Sequence, residues 1–302
     1  MQVVITGGTG LIGRALAANL AERGDRVVIT SRSPNRARDL EAGVEVAGWD
    51  GTSAQQLAGV LEGTDAVVHL IGEGIADGRW TAERKRKIEE SRTRSTAALV
   101  EALGQAAPGP KVLLQGSAVG FYGARGDEEL TEASPPGEGF LADVCRAWER
   151  AGEKAEALGV RRALLRTGVV LAQEGGALPK MVLPFRLFAG GPVGNGKQWV
   201  PWIHLADQVG AIRFLLDSSE ARGTFNLVAP QSVRNRELGK AIGRVLGRPS
   251  FMPAPAFAMK LALGEMSELL LDSQRVQASA LTAAGYAFTF PAIEPALRDL
   301  LT

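Results

Sequence analysis

Of 302 residues, one is cysteine, two are histidine and two are tyrosine. With Cys145 alone, no intrachain disulfide can form. Zinc sites draw on clusters of Cys and His, and three such residues in all make one improbable, so no metal is expected. The chain also lacks an excess of either charge, with 34 Lys and Arg against 33 Asp and Glu. A balanced charge offers no field to attract nucleic acid or an anionic membrane, and neither is expected as a partner. No apolar run is long enough to cross a bilayer, and the N-terminus has no charged leader with a cleavage site. These absences lead us to expect a cytoplasmic protein with a small-molecule substrate; self-association is left open. The remaining composition, 45% hydrophobic and 22% charged, is that of an ordinary globular chain.

Glycine, by contrast, is plentiful, and its placement near the N-terminus is the strongest signal in the chain. An apolar, β-branched run from Met1 to Thr6 reads as a strand. Gly7-Gly8-Thr9-Gly10-Leu11-Ile12-Gly13 follows, and Arg14 to Arg23 reads as a helix. A strand, a glycine turn and a helix N-terminus bring free N–H groups and a positive dipole end up to a diphosphate. Gly7, Gly10, Leu11, Ile12 and Gly13 are therefore expected to hold a dinucleotide.

A second strand, Arg26 to Ser31, ends at Ser31-Arg32-Ser33. An acidic residue here would accept from the ribose 2′-hydroxyl of NAD. Ser31 and Arg32 stand there instead, and a guanidinium pairs with a 2′-phosphate. The cofactor expected is NADP(H).

Strand-like and helix-like stretches alternate onward. Val44 to Ala47, Ala66 to Ile71, Lys111 to Gly116 and Arg162 to Arg166 read as strands, and Thr81 to Leu103 and Phe140 to Ala157 as helices. The run Arg84-Lys85-Arg86-Lys87, followed by Glu89 and Glu90, reads as a solvated helix face. The alternation predicts an α/β fold, a Rossmann-type doubly wound parallel sheet. Residues 1–168 would form the NADP-binding domain and 169–302 a smaller mixed C-terminal substrate domain, with an approximate boundary that the chain is free to recross. In that second part Ala206 to Leu216 reads as a helix, Thr224 to Val228 as a strand, and Arg234 to Leu246 as a helix capped by Gly247.

Several segments resemble the extended branch of the short-chain dehydrogenase/reductase superfamily, and within it the sugar-nucleotide-epimerase-like "epimerase family" proteins. They are Thr6–Gly13, His69–Glu73 with Ala76–Trp80, Ser117–Gly123, Leu165–Leu171, Gly190–Trp199, Trp202–Asp207, Phe225–Pro230 and Ser273–Arg275. The resemblance covers nearly the whole chain. It implies that Leu70, Ile71 and Gly72 line the cofactor, that Asp50 lies near the adenine, that Arg92 faces the cofactor groove, and that Thr167 and Val170 approach the nicotinamide.

In one respect the pattern departs from that family. Its catalytic members use a Ser together with a Tyr and a Lys on a Tyr-x-x-x-Lys helix, the Lys lowering the Tyr pKa for proton transfer. Ser117 fits the first position. On the helix Phe140–Glu149, the Tyr position holds Leu141 and the Lys position holds Cys145. Tyr122, five residues beyond Ser117, is the substitute acid to consider, and the acidic run Asp127–Glu132 follows it. Trp202, His204 and Arg275 are candidate substrate contacts, near Trp199, Lys197 and Gln198. Asp207 reads as the N-terminal acid of a helix. Two functions follow as expectations. One is an NADP(H)-dependent oxidoreductase or epimerase acting on a small or nucleotide-linked carbonyl or carbinol compound with a non-standard acid/base set. The alternative is a catalytically degenerate NADP(H)-binding sensor or interaction protein.

Overall fold

The computed structural model describes residues 1–37 and 40–302. Its first half runs β1 (Gln2–Thr6), α1 (Leu11–Glu22), β2 (Arg26–Ser31), β3 (Val44–Gly48), α2 (Ala54–Leu61), β4 (Ala66–His69), α3 (Ala82–Gln105), β5 (Val112–Ala118), β6 (Glu129–Leu130), α4 (Phe140–Ala151), α5 (Lys154–Ala157) and β7 (Arg161–Thr167). The second half runs β8 (Val169–Leu171), α6 (Leu178–Arg186), β9 (Trp199–Val200), β10 (Trp202–His204), α7 (Leu205–Asp217), β11 (Gly223–Leu227), β12 (Val233–Arg234), α8 (Asn235–Leu246), α9 (Ala256–Leu263), α10 (Glu268–Leu271), β13 (Arg275–Val276), α11 (Ser279–Ala283) and α12 (Ile293–Leu301).

Seven parallel strands form the central sheet in the order β11-β7-β5-β4-β1-β2-β3. The β-branched run Val3-Val4-Ile5 is fully buried, as a strand covered on both faces requires. On one face α1 and α7 pack together and enclose Ile5, Leu16, Leu20, Ile29, Ile212 and Leu215. On the other, α2, α3 and α4 pack in sequence over Val4, Leu57, Leu61, Val67, Leu99 and Leu113. Chain order reverses between β1 and β4, and ligands of such sheets sit at that crevice beyond the strand ends.

The second part of the chain does not stay apart from this sheet. Residues after 168 supply its edge strand β11 and the covering helix α7. α6, α8 and α12, with short two-stranded pairings, build a smaller core around Trp202, Phe185, Leu238, Ile242 and Leu297. The expected helix over Phe140–Ala157 divides into α4 and α5 at Gly152, where the Gln115 side chain packs too close to leave room for a Cβ. Gly247 closes α8 in the left-handed conformation, φ +62°, as a C-terminal glycine does. The basic run of α3 is paired along its length: Arg84 with Glu73, Lys85 with Glu265, Arg86 with Glu90 and Lys87 with Glu83.

Candidate functional site

The glycine turn shows what each glycine is for. Gly7 has φ +79°, and a Cβ on it would lie 2.8 Å from the Leu70 carbonyl carbon. Its absence lets the ends of β1 and β4 touch. A Cβ on Gly13 would stand 2.5 Å from the Gly7 oxygen, so Gly13 seats α1 against the turn. Gly10 instead faces solvent and caps α1. Where Ser53 and Thr81 hydroxyls cap α2 and α3, no side chain accepts at the start of α1, and its first turn carries no acid. The cap therefore presents N–H groups and a positive dipole end outward. Leu11 and Ile12 are half-buried behind it.

The neighbouring strand ends converge on this turn. After β2, Ser31 Oγ accepts from the Ser33 N–H at 3.1 Å. Arg32 is exposed and has no hydrogen-bond or ion-pair partner among the described residues. After β3, Asp50 Oδ1 accepts from Thr52 and Ser53 N–H groups at 2.7 and 2.8 Å, which hold its carboxyl below the usual range. After β4, Leu70 and Ile71 are half-buried and Gly72 is exposed against the Arg92 guanidinium. Arg92 donates to the Ile88 and Glu73 carbonyls and lies 5.1 Å from the Trp148 ring centroid. Burial pulls its pKa down. Thr167, at the end of β7, accepts from Gln208 Nε2 at 3.2 Å. Val170 lies one strand further, paired with Ile203 and packed on the main core.

The proposed catalytic residues occupy a buried polar network between β5, β7 and α4. Ser117 donates to Glu149 Oε1 at 2.6 Å. Arg166 grips the same carboxylate with two bonds of 2.9 Å. Its third nitrogen donates to the Tyr122 oxygen at 3.1 Å, and Tyr122 donates to Asn226 Oδ1 at 2.7 Å. Asn226 passes the chain on to the Gln277 carbonyl. The Arg166 guanidinium also stacks 3.4 Å from the Phe121 ring centroid. Both proposed hydroxyls thus have internal acceptors, and burial raises the Tyr122 pKa. Cys145 is buried, its thiol donating to the Ala118 carbonyl at 3.6 Å, and burial with the nearby Glu149 charge pushes it up to about 12. It is a neutral thiol beside the end of β5. Leu141 packs against the Gly120 backbone.

Glu149 and Arg166 are the site residues that sequence reasoning missed. Their signal was an arginine directly after the apolar run Ala163-Leu164-Leu165 in a strand, which burial permits only with a partner.

Trp202, His204 and Arg275 have separate surroundings. Trp202 is 1% exposed and bonds the Gln231 carbonyl inside the C-terminal core. His204 caps α7 by accepting from the Ala206 N–H, stacks on Phe290, and places Nε2 3.2 Å from Asp299. It lines a groove of about 1170 Å³ between α1 and α7, whose lining also includes Leu11 of the glycine turn. Arg275 pairs with Glu129 and faces Trp199, which Arg234 covers from 4.3 Å. Asp207, expected at a helix start, is there but is fully buried. Its carboxylate accepts from Thr289 and Phe290 N–H groups and from the Tyr286 hydroxyl.

Residues 3–227 match the model of the NAD dependent epimerase/dehydratase family. The chain belongs to that family. Residues 254–300 match a second model, a domain of unknown function, DUF1731. Among similar proteins, the epimerase family protein SDR39U1 homolog, chloroplastic, of Arabidopsis thaliana is 38% identical over 303 residues, covering 100% of this chain and 87% of that protein. The epimerase family protein YfhF of Bacillus subtilis is 37% identical, covering 100% and 98%. The crystal structure of human epimerase family protein SDR39U1, determined with NADPH, superposes with a TM-score of 0.88 at 33% identity, covering 99% of both chains. Less similar structures, such as a UDP-N-acetylglucosamine 4-epimerase from Bacillus cereus at 16% identity and TM-score 0.78, share the fold.

Proposed function

We propose that this chain binds NADP(H) and acts as an oxidoreductase or epimerase at the carbonyl or carbinol carbon of a small or nucleotide-linked substrate. The observation that carries the reading is Arg32, an exposed guanidinium without a partner among the described residues, set directly beyond β2, the strand next to β1 and its uncapped helix. The Gly10–Ile12 amides suit the diphosphate, Arg32 and Ser31 the 2′-phosphate, and the Leu70–Gly72 backbone the groove between them. The human relative crystallised with NADPH supports the same choice.

NADPH supplies a hydride. The chain's own part is to position the reacting carbon and to accompany the hydride with a proton. Leu141 and Cys145 leave no Tyr–Lys relay, and the Ser117 and Tyr122 hydroxyls donate within the protein. The proton then comes from water at the cleft, or from Tyr122 if it exchanges Asn226 for substrate. The same engagement of both hydroxyls favours a second reading, an NADP(H)-occupied sensor with little turnover.

Titration with NADPH and NADH, repeated on Arg32→Ala, tests the binding step. NADPH affinity should fall roughly tenfold to a hundredfold, the scale of a lost charge-assisted hydrogen bond, with NADH little changed. Failure to bind either nucleotide would remove the reading. A panel of aldehydes, ketones and nucleotide sugars with NADPH then separates enzyme from sensor: tight cofactor binding without consumption favours the sensor.

A further inference from the structure

Nine large apolar side chains are exposed among the described residues, and seven belong to one region of the C-terminal half. Leu183 projects from α6, and Leu187 and Phe188 follow it. Phe251 and Met252 precede α9, which carries Phe257 and Leu261 at 75% and 78% exposure. Backbone bonds tie these pieces side by side: Met252 N–H to the Gly190 carbonyl, Ala254 N–H to Pro192, and Gly194 N–H to Ala254. The Arg248 guanidinium lies 4.4 Å over the Phe188 ring, joining the two sides.

Two features show that this surface is more than stray exposure. Phe188 has φ +60°, the one non-glycine residue described with a positive φ, a conformation bulky side chains rarely adopt. The position is the left-handed cap that ends α6, where the Phe188 N–H reaches the Phe185 carbonyl and the Ala189 N–H the Pro184 carbonyl; glycine is usual there, and Phe188 stays 57% exposed. α9 has no buried residue along its whole length; only Leu263 at its end packs on a core cluster, and Arg79 holds the Leu261 and Ala262 carbonyls.

The charge of the two segments that carry it is one-sided as well, with Glu237 and Glu265 bordering the second of them. The segments 177–191 and 238–264 contain Lys180, Arg186, Lys240, Arg244, Arg248 and Lys260, and no Asp or Glu. All six are exposed, and among the described residues only Arg244 has a carboxylate partner, Glu294. The rest of the chain carries 28 cationic against 33 anionic side chains.

We propose that this face docks on an anionic lipid bilayer. Phe188, Phe257 and Leu261 enter the boundary between headgroups and acyl chains, and the six cations meet lipid phosphates, the arrangement by which a protein lies on a membrane without crossing it. No helix of the described residues is long and apolar enough to span one. A second copy suits the face less well, because a two-fold contact would bring cation against cation.

Co-sedimentation of the full chain with phosphatidylcholine vesicles, with and without phosphatidylglycerol, tests this. Binding should require the anionic lipid and fall as salt rises. Phe257→Ser with Leu261→Ser should weaken it by roughly tenfold or more. Arg248→Ala with Lys260→Ala should weaken it about fivefold per cation. These side chains are exposed, so unchanged circular dichroism is expected for both variants. Absence of binding to anionic vesicles overturns the proposal, and so does binding that survives both pairs of substitutions. A dimer in sedimentation that disappears with Phe257→Ser and Leu261→Ser would assign the face to a second copy instead. Retention on immobilised polyglutamate without vesicle binding would assign it to an acidic protein.

Discussion

Arg166 illustrates how a single side chain can be conspicuous in a sequence while its role stays hidden. A charge among Ala163, Leu164 and Leu165 needs a buried counter-charge, but nothing in the local pattern names Glu149, which lies on a helix 17 residues away. Glu149→Gln should therefore destabilise the protein by about 3 kcal/mol, because it leaves a buried guanidinium without its counter-ion. Replacing both partners by apolar residues should cost much less. Equilibrium denaturation of the single and double variants measures both, and equal losses would show that the pair is not coupled. His69 is a second buried case. Its Nδ1 lies 2.6 Å from the Thr6 hydroxyl and its Nε2 3.0 Å from that of Thr96, and burial pushes the imidazole down to about 3. Burial also lowers His204. An unfolded histidine binds a proton below about pH 6.5, so the folded state loses stability as pH falls through that value towards 3. The loss should approach about 1.4 kcal/mol per pH unit for His69. Glu268 and Asp272, raised by burial, act with the opposite sign at acid pH. The His69 contribution is therefore read as the difference in slope between the wild type and His69→Gln between pH 6.5 and 4.5. Parallel slopes would contradict it.

At the level of elements, the glycine turn was the most legible part of the chain because its chemistry is local. Strand, turn and helix follow one another, and every glycine involved acts on a neighbour within the turn or on β2 and β4 beside it. Gly7→Ala should destabilise by about 2 kcal/mol or more, combining an unfavourable positive φ with a Cβ 2.8 Å from the Leu70 carbonyl carbon. It should also weaken NADPH binding, whereas Gly10→Ala, meeting only the Gly7 oxygen at 3.3 Å, should leave the fold intact. Thermal melts of the two variants make the comparison, and equal losses would refute the division of roles. Asp207 shows the opposite case. Its position at a helix start was readable, but its partners Thr289 and Phe290 lie 82 and 83 residues on. Asp207→Ala should cost about 1–3 kcal/mol by removing the acceptor of those part-buried N–H groups. Loss of the aromatic residues 286–290 from their protected state, followed by hydrogen exchange, would locate the damage there.

Over the whole molecule, the alternation of strands and helices predicted the doubly wound sheet, and the family relationship confirms the class of fold. Ligand linkage belongs to this scale. At a hundredfold excess over its dissociation constant, NADPH should stabilise the folded chain by about 2.7 kcal/mol, visible as a rise of several degrees in melting temperature that NADH does not match. An equal rise with both nucleotides would count against Arg32 as the discriminator. The near-zero net charge is an average over the chain. It gave no reason to expect an anionic partner, while segments 177–191 and 238–264 hold six cations, seven exposed apolar side chains and no acid, and acidic residues outnumber cations elsewhere. What the sequence determined by itself was whatever depends on neighbours in the chain: the glycine turn, the basic residue after β2, the apolar strands, the helix caps, and the missing Tyr–Lys pair. Tertiary structure alone decided which hydroxyls are already engaged, that Trp202 and His204 are buried, and that β11 and α7 return to the first sheet. Those outcomes depend on contacts between residues tens to hundreds of positions apart, and side-chain periodicity carries no information about such pairs.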